Sequence, residues 1–271
     1  MQNKYPEGID ELIGERTRVF QGSNSITNRN TLLDDGAYPL ADNQWFKVPN
    51  VICLFVDIRN STGLSATTHD HSTASIYELF TGTAVRMFHH FGARYIDIKG
   101  DGVFALFNSN EVHRALVAAV SFKTFAAENF LPLVRRKLNG AVDIGFHMGI
   151  DQKTVLVKQL GIRDAEGRDR RKNEVWAGKP INMAVKLAAR SKDGELLISE
   201  RYYNSLAKND YVQKTCGCVI GGHDQDAVVD IWKVVDVSQE NLFDFNTAYI
   251  MHNHWCVTHG KEWANGILAL D

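Results

Sequence analysis

Two aspartates lie where a folded chain would present a side chain to a ligand. Asp57 directly follows the apolar run Val51-Ile-Cys-Leu-Phe-Val, which predicts a strand covered on both faces. Asp101 lies between two glycines at the tip of a predicted β-hairpin, and glycines let the backbone approach a bulky ligand. Carboxylates on neighbouring strands can bridge a pair of Mg²⁺ or Mn²⁺ ions, which prefer oxygen ligands and complete their shell with substrate phosphates. The alternative is that each aspartate is an ordinary turn or capping residue, since Asp-Gly is common in hairpins.

Helix and strand patterns alternate along the chain around these two residues. Apolar periodicity predicts helices at 9–20, 71–91, 111–129 and 180–190. Strand patterns lie between and after them, at 51–56, 93–99, 103–107, 142–150, 154–159, near 196 and at 229–235. The order of strand, helix, hairpin, helix, strand, helix and strand predicts a ferredoxin-like βαββαβ sandwich of the α+β class, with N- and C-terminal extensions.

The bulk composition indicates the class of protein. The 271 residues fit one large domain at 49–236 with extensions at 1–48 and 237–271, the second of them packed on the core. Lys plus Arg (30) nearly balances Asp plus Glu (32), so no basic field predicts nucleic acid or a membrane as a partner. The first residues lack a signal-peptide core, and the longest apolar stretch, near 116–122, falls short of a membrane span. We therefore expect a soluble cytoplasmic protein with reduced cysteines.

Four segments follow one another in a distinctive order. They are 55–62 (Phe-Val-Asp-Ile-Arg-Asn-Ser-Thr), 97–104 (Asp-Ile-Lys-Gly-Asp-Gly-Val-Phe), 142–149 (Val-Asp-Ile-Gly-Phe-His-Met-Gly) and 178–190 (Gly-Lys-Pro-Ile-Asn-Met-Ala-Val-Lys-Leu-Ala-Ala-Arg). Together they resemble the two metal motifs, the central strand and the Asn-bearing helix of class III nucleotidyl cyclases. The resemblance implies that Asp57 and Asp101 bind two divalent metal ions, Mn²⁺ or Mg²⁺, with the Ile58 carbonyl as a further ligand.

The same resemblance implies the substrate contacts and the reaction. Backbone N–H groups of the turn after Asp57 would cradle a triphosphate in the manner of an anion nest. The substrate-binding residues implied on this side of the site are Phe55, Arg59, Asn60, Ser61, Thr62 and Gly100. The ribose 3′-oxygen would attack the α-phosphorus and release pyrophosphate, with catalysis mainly by positioning and charge neutralisation.

In this family the active site forms between two subunits, so the resemblance implies a homodimer. Asn182 matches the Asn that orients the ribose. Lys186 stands where an Arg usually stabilises the transition state, and Lys supplies the charge without the planar fork of Arg. Asn182, Lys186 and Arg190 share one helix face at i, i+4 spacing, which makes Arg190 the third catalytic candidate. The alternative for Lys186 is a solvated surface lysine.

Two positions that read the base in purine cyclases of this family do not match the adenine pair. They hold Asp97 and Val175. A carboxylate only accepts hydrogen bonds, so Asp97 suits uracil N3–H, the cytosine amino group or the guanine N–H pair, and it does not suit adenine N1. Tyr95 lies on the same strand face, and Trp176 would shrink the pocket toward a pyrimidine. The alternative is that Asp97 only pairs with a basic neighbour such as Lys99.

Because Asp97 and Val175 depart from the adenine pattern, the resemblance can be narrowed to one group of cyclases. A stand-alone cyclase domain with this departure and with the segment Trp255-Cys-Val-Thr-His-Gly is similar to the pyrimidine cyclases of Pycsar antiphage systems. That likeness implies UTP as the favoured substrate, cyclic UMP as a second messenger and a product-sensing effector protein as a partner. Cytidylate, guanylate or adenylate cyclase activity remains an alternative. So does an inactive cyclase-like module that binds a nucleotide, which Lys186 keeps open.

Two further groups of residues could bind a ligand outside this site, one of them a metal ion and the other phosphate. Zinc ligation is one interpretation of six residues toward the C-terminus: Cys216, Cys218, His252, His254, Cys256 and His259. Their spacing matches no standard zinc motif, so we prefer a tail that packs Trp255 and Trp263 onto the core. The basic run 168–172 could bind phosphate, but no aromatic residues are interleaved with it. A solvated loop, or an arm contacting a partner subunit, is the preferred interpretation.

Overall fold

A nine-stranded β-sheet forms the centre of the computed structural model, which describes residues 5–34, 37–164, 166–218 and 228–271. Its strands are β1 Ser25–Asn28, β2 Gln44–Arg59, β3 Tyr95–Lys99, β4 Gly102–Phe107, β5 Gly145–Arg163, β6 Asp169–Gly178, β7 Leu196–Ser199, β10 Trp232–Asp236 and β11 Thr247–Met251. Two short strands, β8 Lys214–Thr215 and β9 Val229–Asp230, pair separately. The main order is β10-β11-β7-β5-β2-β4-β3, with β1 paired to β2 and β6 paired to β5.

Helices pack on both faces of this sheet. The helices in chain order are α1 Ile9–Gln21, α2 Ser61–Thr67, α3 Asp70–His90, α4 Val112–Phe125, α5 Leu131–Lys137, α6 Lys179–Arg190, α7 Glu200–Ser205, α8 Asp210–Gln213 and α9 Gly260–Leu268. Helices α3 and α4 lie on one face and α6 on the other, whereas α1 has no buried residue. A π-helical turn, Ala126–Phe130, joins α4 to α5. The helical stretch therefore runs past the predicted end at 129, because Pro132 lies in the first turn of α5, where its missing N–H is tolerated.

The ferredoxin-like arrangement is confirmed in the centre of the sheet. Within the group β5-β2-β4-β3 each pair of adjacent strands is antiparallel, as the βαββαβ order requires. Alternation along β2 separates two cores: Leu54 and Val56 pack with the phenylalanines of α3 and α4, whereas Cys53 and Phe55 pack with α6. Because the side-chain period is two, Asp57 continues the face that carries Phe55.

Two elements differ from the sequence prediction. The predicted strands at 142–150 and 154–159 form one long strand, β5, which pairs with β2, β6 and β7. The basic run predicted as a solvated loop lies mostly in β6, so β5 and β6 form a projecting hairpin arm. Pairing between β5 and β6 holds this arm, and near its tip Asp164 accepts hydrogen bonds from Arg168 and Arg170.

The C-terminal residues are an integral part of the fold. Strand β11 lies inside the sheet between β7 and β10, and Trp255 and Trp263 pack against the main core as predicted. Asp271 accepts hydrogen bonds from the backbone N–H groups of His113 and Arg114, at distances of 3.0 and 2.8 Å. It thereby caps the first turn of α4, whose own N-cap residue, Glu111, makes no capping hydrogen bond with its side chain.

One helical stretch, Val112–Lys137, has the length and composition to cross a membrane. It is longer than the apolar segment predicted from the sequence, because α4, the π-helical turn and α5 are continuous. Of its most apolar window, 56% is buried within the molecule. Its packing against the sheet is that of a core helix.

Candidate active site

The two aspartates lie on adjoining strands, as the sequence predicted. Asp57 lies near the end of β2, and Asp101 lies in the turn between β3 and β4, which pairs with β2. A Cβ atom on Gly102 would lie 2.8 Å from the Phe55 ring and 3.1 Å from Asp57 Oδ1. Position 102 therefore requires glycine, because the backbone of β4 passes directly against Asp57. This close approach brings the two carboxylates into one site.

The electrostatics of Asp101 indicate that the site lacks a positive charge. Burial, and next the negative charge of Asp57, raise the pKa of the Asp101 carboxyl, while a hydrogen bond from Ser61 opposes the rise. Asp101 Oδ2 is buried and has no hydrogen-bond partner among the described residues. A buried carboxylate oxygen without a partner, beside a second carboxylate, has the chemistry that a divalent cation satisfies. The donor set thus fits the metal ions that the sequence resemblance implied.

Asp57 has a neighbour that the sequence analysis did not single out. His147 faces Asp57 in the register of β2 and β5, and its Nε2 lies 3.3 Å from Asp57 Oδ2. Such a contact orients a carboxylate and leaves its other oxygen for a ligand. His147 belongs to the central-strand motif 142–149, so its position was visible in the sequence, whereas its contact depends on strand register.

The turn after β2 is shaped by Asn60. Its φ of 64° is left-handed, and its side-chain amide donates to the Asp143 carbonyl oxygen at 2.9 Å. Arg59 reaches the Asp143 carboxylate at 3.3 Å. The backbone N–H groups at the start of α2, on Ser61 and Thr62, have no acceptor within the helix. Gly100, with a φ of 69°, forms the opposite side of this region next to Asp101.

Ile58 can bind a metal ion only through its backbone. Its side chain is buried in the main core, opposite the face that carries Asp57. The sequence resemblance implied its carbonyl as a metal ligand, and the burial of the side chain agrees with that role.

Aromatic rings close the region around the predicted base-reading strand. The Tyr95 ring lies 4.9 Å from the Trp176 ring, measured between centroids. The structure thus brings together two residues that the sequence analysis placed in one pocket. Tyr38 completes the cluster, with its ring 5.9 Å from Trp176, although the sequence analysis gave the first 48 residues no role in the site. Trp176 Nε1 is buried without a hydrogen-bond partner among the described residues.

Asp97 lies two residues from Tyr95 on the same face of β3, whereas Val175 precedes Trp176 in β6 and its side chain points to the opposite, exposed face. Asp97 is partly exposed and pairs with Lys99, with 2.6 Å between the carboxylate oxygen and the ammonium nitrogen. The pair offers one hydrogen-bond acceptor and one donor side by side. Val175 is also exposed, at 36%, on β6.

Helix α6 carries the three remaining candidates, which are the predicted catalytic residues. Asn182 is exposed, whereas Lys186 donates to the Leu242 carbonyl oxygen at 2.9 Å and Arg190 donates to Glu240 at 2.8 Å. The loop between β10 and β11 thus lies along the side of α6 that carries the two basic residues. Among the described residues, no hydrogen bond or ion pair joins α6 to Asp57 or Asp101.

A buried ion-pair network anchors that loop. Arg201 makes two hydrogen bonds to Asp151, which is fully buried, and one to Asp244. Asp244 also accepts from Lys153 and from Lys179, the first residue of α6. Burial would raise the pKa of Asp244, but the three cationic partners outweigh it and hold the pKa well below its usual value.

Comparison with known proteins identifies the family. No family model matches the sequence. Over 227 residues the chain is 35% identical to a uridylate cyclase of Propioniciclava tarda, which covers 83% of this chain and 70% of that protein. Over 261 residues it is 30% identical to a uridylate cyclase of Micromonospora echinofusca, which covers 96% of this chain and 83% of that protein. The chain belongs to the uridylate cyclase family.

Solved structures support the same assignment at the level of fold. The adenylyl cyclase CyaB from P. aeruginosa superposes with a TM-score of 0.54 at 16% identity, over 77% of this chain and 96% of that one. The catalytic core of a rhodopsin-guanylyl cyclase in complex with ATPalphaS superposes with a TM-score of 0.56 at 15% identity, over 76% and 97%. The resemblance to class III cyclases is therefore confirmed, and the protein is a nucleotide cyclase.

Proposed function

We propose that the protein converts UTP to 3′,5′-cyclic UMP and pyrophosphate with two divalent metal ions. The observation that carries the proposal is the buried, unpartnered oxygen of Asp101 next to Asp57, a carboxylate pair with a deficit of positive charge. The choice of uridine rests on the two uridylate cyclase relatives and on Asp97, which accepts and cannot donate hydrogen bonds.

Asp57, Asp101 and the Ile58 carbonyl would hold the metal ions, either Mn²⁺ or Mg²⁺. When bound, the ions neutralise the triphosphate and favour ionisation of the ribose 3′-hydroxyl. His147 keeps Asp57 oriented through its hydrogen bond. The turn that begins at Arg59 binds the phosphate oxygens through backbone N–H groups, joined by Gly100 from the opposite side.

At the α-phosphorus one bond forms and one breaks. The ribose 3′-hydroxyl gives its proton to solvent water and its oxygen bonds to the α-phosphorus, while the bond from the α-phosphorus to the bridging oxygen breaks and pyrophosphate leaves with the electron pair. Positive charge near the leaving group stabilises this transition state, and Lys186 and Arg190 are the residues for that task, with Asn182 orienting the ribose.

A homodimer would bring these groups together. The metal carboxylates do not bond to α6 within one chain, and this supports a shared site in which the partner supplies the α6 residues. Lys186 would then exchange the neutral carbonyl of Leu242 for a phosphate oxygen, and a charge-assisted hydrogen bond is the stronger of the two.

The base would be read by Asp97 and Lys99 beside Tyr95 and Trp176. Uracil presents N3–H between two carbonyl oxygens, which matches an adjacent acceptor and donor. The rings of Tyr95 and Trp176 reduce the space that a purine would need.

The biological role that we propose is production of a second messenger in antiphage defence. Cyclic UMP would act on an effector protein, in the cytoplasm, without a nucleic-acid or membrane partner. The domain limits of 49–236 for catalysis, with extensions on either side, belong to the same proposal, although β11 shows that the second extension also builds the sheet.

A second candidate function is nucleotide binding without cyclisation. It is favoured by one observation: Lys186 replaces the usual Arg and is hydrogen bonded to Leu242 in the structure. A class III adenylyl cyclase-like ATP-binding protein from Pseudomonas aeruginosa shares the fold, with a TM-score of 0.55 at 16% identity.

Chromatography of the products tests both candidates. The purified protein is incubated with each of the four ribonucleoside triphosphates and Mn²⁺, and we expect cyclic UMP as the dominant product. Asp101→Ala should abolish it, whereas Asp210→Asn, at an exposed position outside the site, should leave it unchanged. Cyclic AMP as the main product would refute the base assignment, and no product from any substrate would favour the binding module.

Mixed dimers test the shared site. Asp101→Ala and Asn182→Ala proteins should each be inactive alone. Mixed together, they should regain activity, because one of the two sites in a heterodimer has every residue. No recovery, with subunit exchange demonstrated by mass spectrometry, would contradict the cross-subunit assignment.

A further inference from the structure

Three cysteines and one histidine from separate parts of the chain meet at a single point. Cys216 and Cys218 directly follow β8, and Cys256 and His259 directly precede α9. Their Sγ atoms and one ring nitrogen all lie within 4.8 Å of one another. The two pairs are about 40 residues apart in sequence. The fold brings them together, although their spacing matches no standard zinc motif.

Three of the six distances among these atoms are close to the edges of a tetrahedral coordination shell, and the other three are at most 4.8 Å. With zinc–sulfur bonds of about 2.3 Å and zinc–nitrogen bonds of about 2.0–2.1 Å, a tetrahedron has sulfur–sulfur edges of about 3.8 Å and sulfur–nitrogen edges of about 3.6 Å. Cys216 Sγ lies 3.5 Å from Cys256 Sγ. The Nδ1 atom of His259 lies 3.5 Å from Cys218 Sγ and 3.4 Å from Cys256 Sγ. Each measured edge is within a few tenths of an ångström of the ideal value.

The backbone around Cys256 is arranged to support a thiolate. The N–H of His259 donates to Cys256 Sγ at 3.1 Å. A Cβ on Gly260 would lie only 2.6 Å from Trp255 Cβ, so the chain can close this tight turn only with glycine at position 260. Backbone N–H groups that donate to sulfur are typical of the second shell of a metal site, since they stabilise the ligand's negative charge.

A disulfide explains less of the arrangement. The Cys216–Cys256 separation of 3.5 Å exceeds the bond length of about 2.05 Å, and such a bond would leave Cys218 and His259 without a role. Cys53, the remaining cysteine, is buried in the sheet core. Three of the four cysteines therefore converge with a histidine, and simple packing does not require that combination.

We propose that Cys216, Cys218, Cys256 and His259 bind one Zn²⁺ in a closed tetrahedral site. Four protein ligands leave no position for substrate, so the site is structural. Thiolate ligands select zinc over Mg²⁺ and Mn²⁺, which separates this site chemically from the carboxylates Asp57 and Asp101.

The metal would tie the C-terminal segment to the β8 region. That segment packs Trp255 and Trp263 on the core and carries Asp271 to the start of α4. A crosslink across about 40 residues restricts the unfolded chain and holds this segment in place. This zinc site does not depend on which base or which metal ion is used in catalysis.

Metal analysis of the whole protein tests the proposal. The protein is purified with a thiol reductant and without chelators, and zinc is measured by mass spectrometry. We expect about one zinc per chain, as a site with four ligands requires. Cys218→Ser and His259→Ala should lose the zinc, whereas the matched control Cys53→Ala should keep it.

Cobalt provides a second measurement that does not need a variant to fold. Wild-type protein reconstituted with Co²⁺ should show the intense visible absorption of tetrahedral cobalt and thiolate-to-cobalt charge-transfer bands. Background zinc in the wild type together with no such spectrum would overturn the proposal. A Cys216–Cys256 disulfide in the protein as purified with the thiol reductant would also overturn it. Neither readout depends on cyclase activity.

Discussion

Gly149→Ala should impair catalysis by displacing α6. A Cβ at Gly149 would lie 2.7 Å from Ala188 N, and closer still to the carbonyl oxygen of Ala184, both in the backbone of the helix. Ordinary contact begins at 3.4 Å, so the helix must recede from β5 by at least the difference, 0.7 Å. A backbone atom cannot swing aside as a side chain can, so the displacement passes to Asn182 on the same helix.

The expected effect is large on rate and moderate on stability. A misplacement near 1 Å costs about 100-fold in rate, and overpacking of this kind costs about 1–3 kcal/mol of unfolding free energy. The assays are the initial rate of cyclic UMP formation and thermal unfolding by scanning fluorimetry. If the variant is still folded at the assay temperature, a loss of rate reports a misplaced helix and not an unfolded protein.

Gly14→Ala is the matched control. A Cβ there meets nothing within 4 Å, and the residue lies inside α1, where Ala is a better helix former than Gly. The Gly14→Ala variant should form cyclic UMP at the same initial rate as the wild type. A Gly149→Ala protein with wild-type rate and melting temperature would refute the argument that β5 positions α6.

Three other substitutions test the electrostatic arguments. Arg201→Met should lower the unfolding free energy by about 3–5 kcal/mol in urea denaturation, because it leaves Asp151 charged, fully buried and without its main partner. Asp271→Ala should cost about 1–2 kcal/mol by uncapping α4. Burial would raise the pKa of Asp271, but its hydrogen bonds lower it, so the wild type's advantage should be complete above about pH 5 and disappear as the pH falls through the lowered pKa. Asp101→Asn should raise the melting temperature of metal-free protein while abolishing cyclisation, because it removes a partly buried charge next to Asp57.

Each of these three predictions has a control variant or a result that would contradict it. Arg168→Met, on the exposed hairpin arm, should change stability by less than about 1 kcal/mol, since its ion pairs are solvated. Equal losses from Arg201→Met and Arg168→Met would contradict the buried network. A stability difference for Asp271→Ala that persists unchanged at pH 2 would show that its carboxylate charge is not involved. An Asp101→Asn protein that melts below the wild type without metal would contradict the repulsion argument.

Local sequence patterns were sufficient to predict the centre of the fold and the main candidate site residues. The apolar run before Asp57, the glycines around Asp101 and the periodicity of 180–190 each describe one element, and their order implied both the sandwich and the family. The hairpin arm was harder, because β6 is stabilised by pairing with β5 and carries too few apolar residues to show a strand pattern.

Residue types and their local order carry the chemistry of this protein: its paired carboxylates, its helix with Asn182, and its acceptor at Asp97. Contacts between residues far apart in the chain follow from the complete fold. His147 reaches Asp57 through the register of two strands, Lys186 is held by the loop that Asp244 anchors, and three cysteines converge with His259 across about 40 residues. The physical reason is that periodicity and turn preference act over a few residues. Register, loop closure and ion pairing depend on the packing of the whole chain.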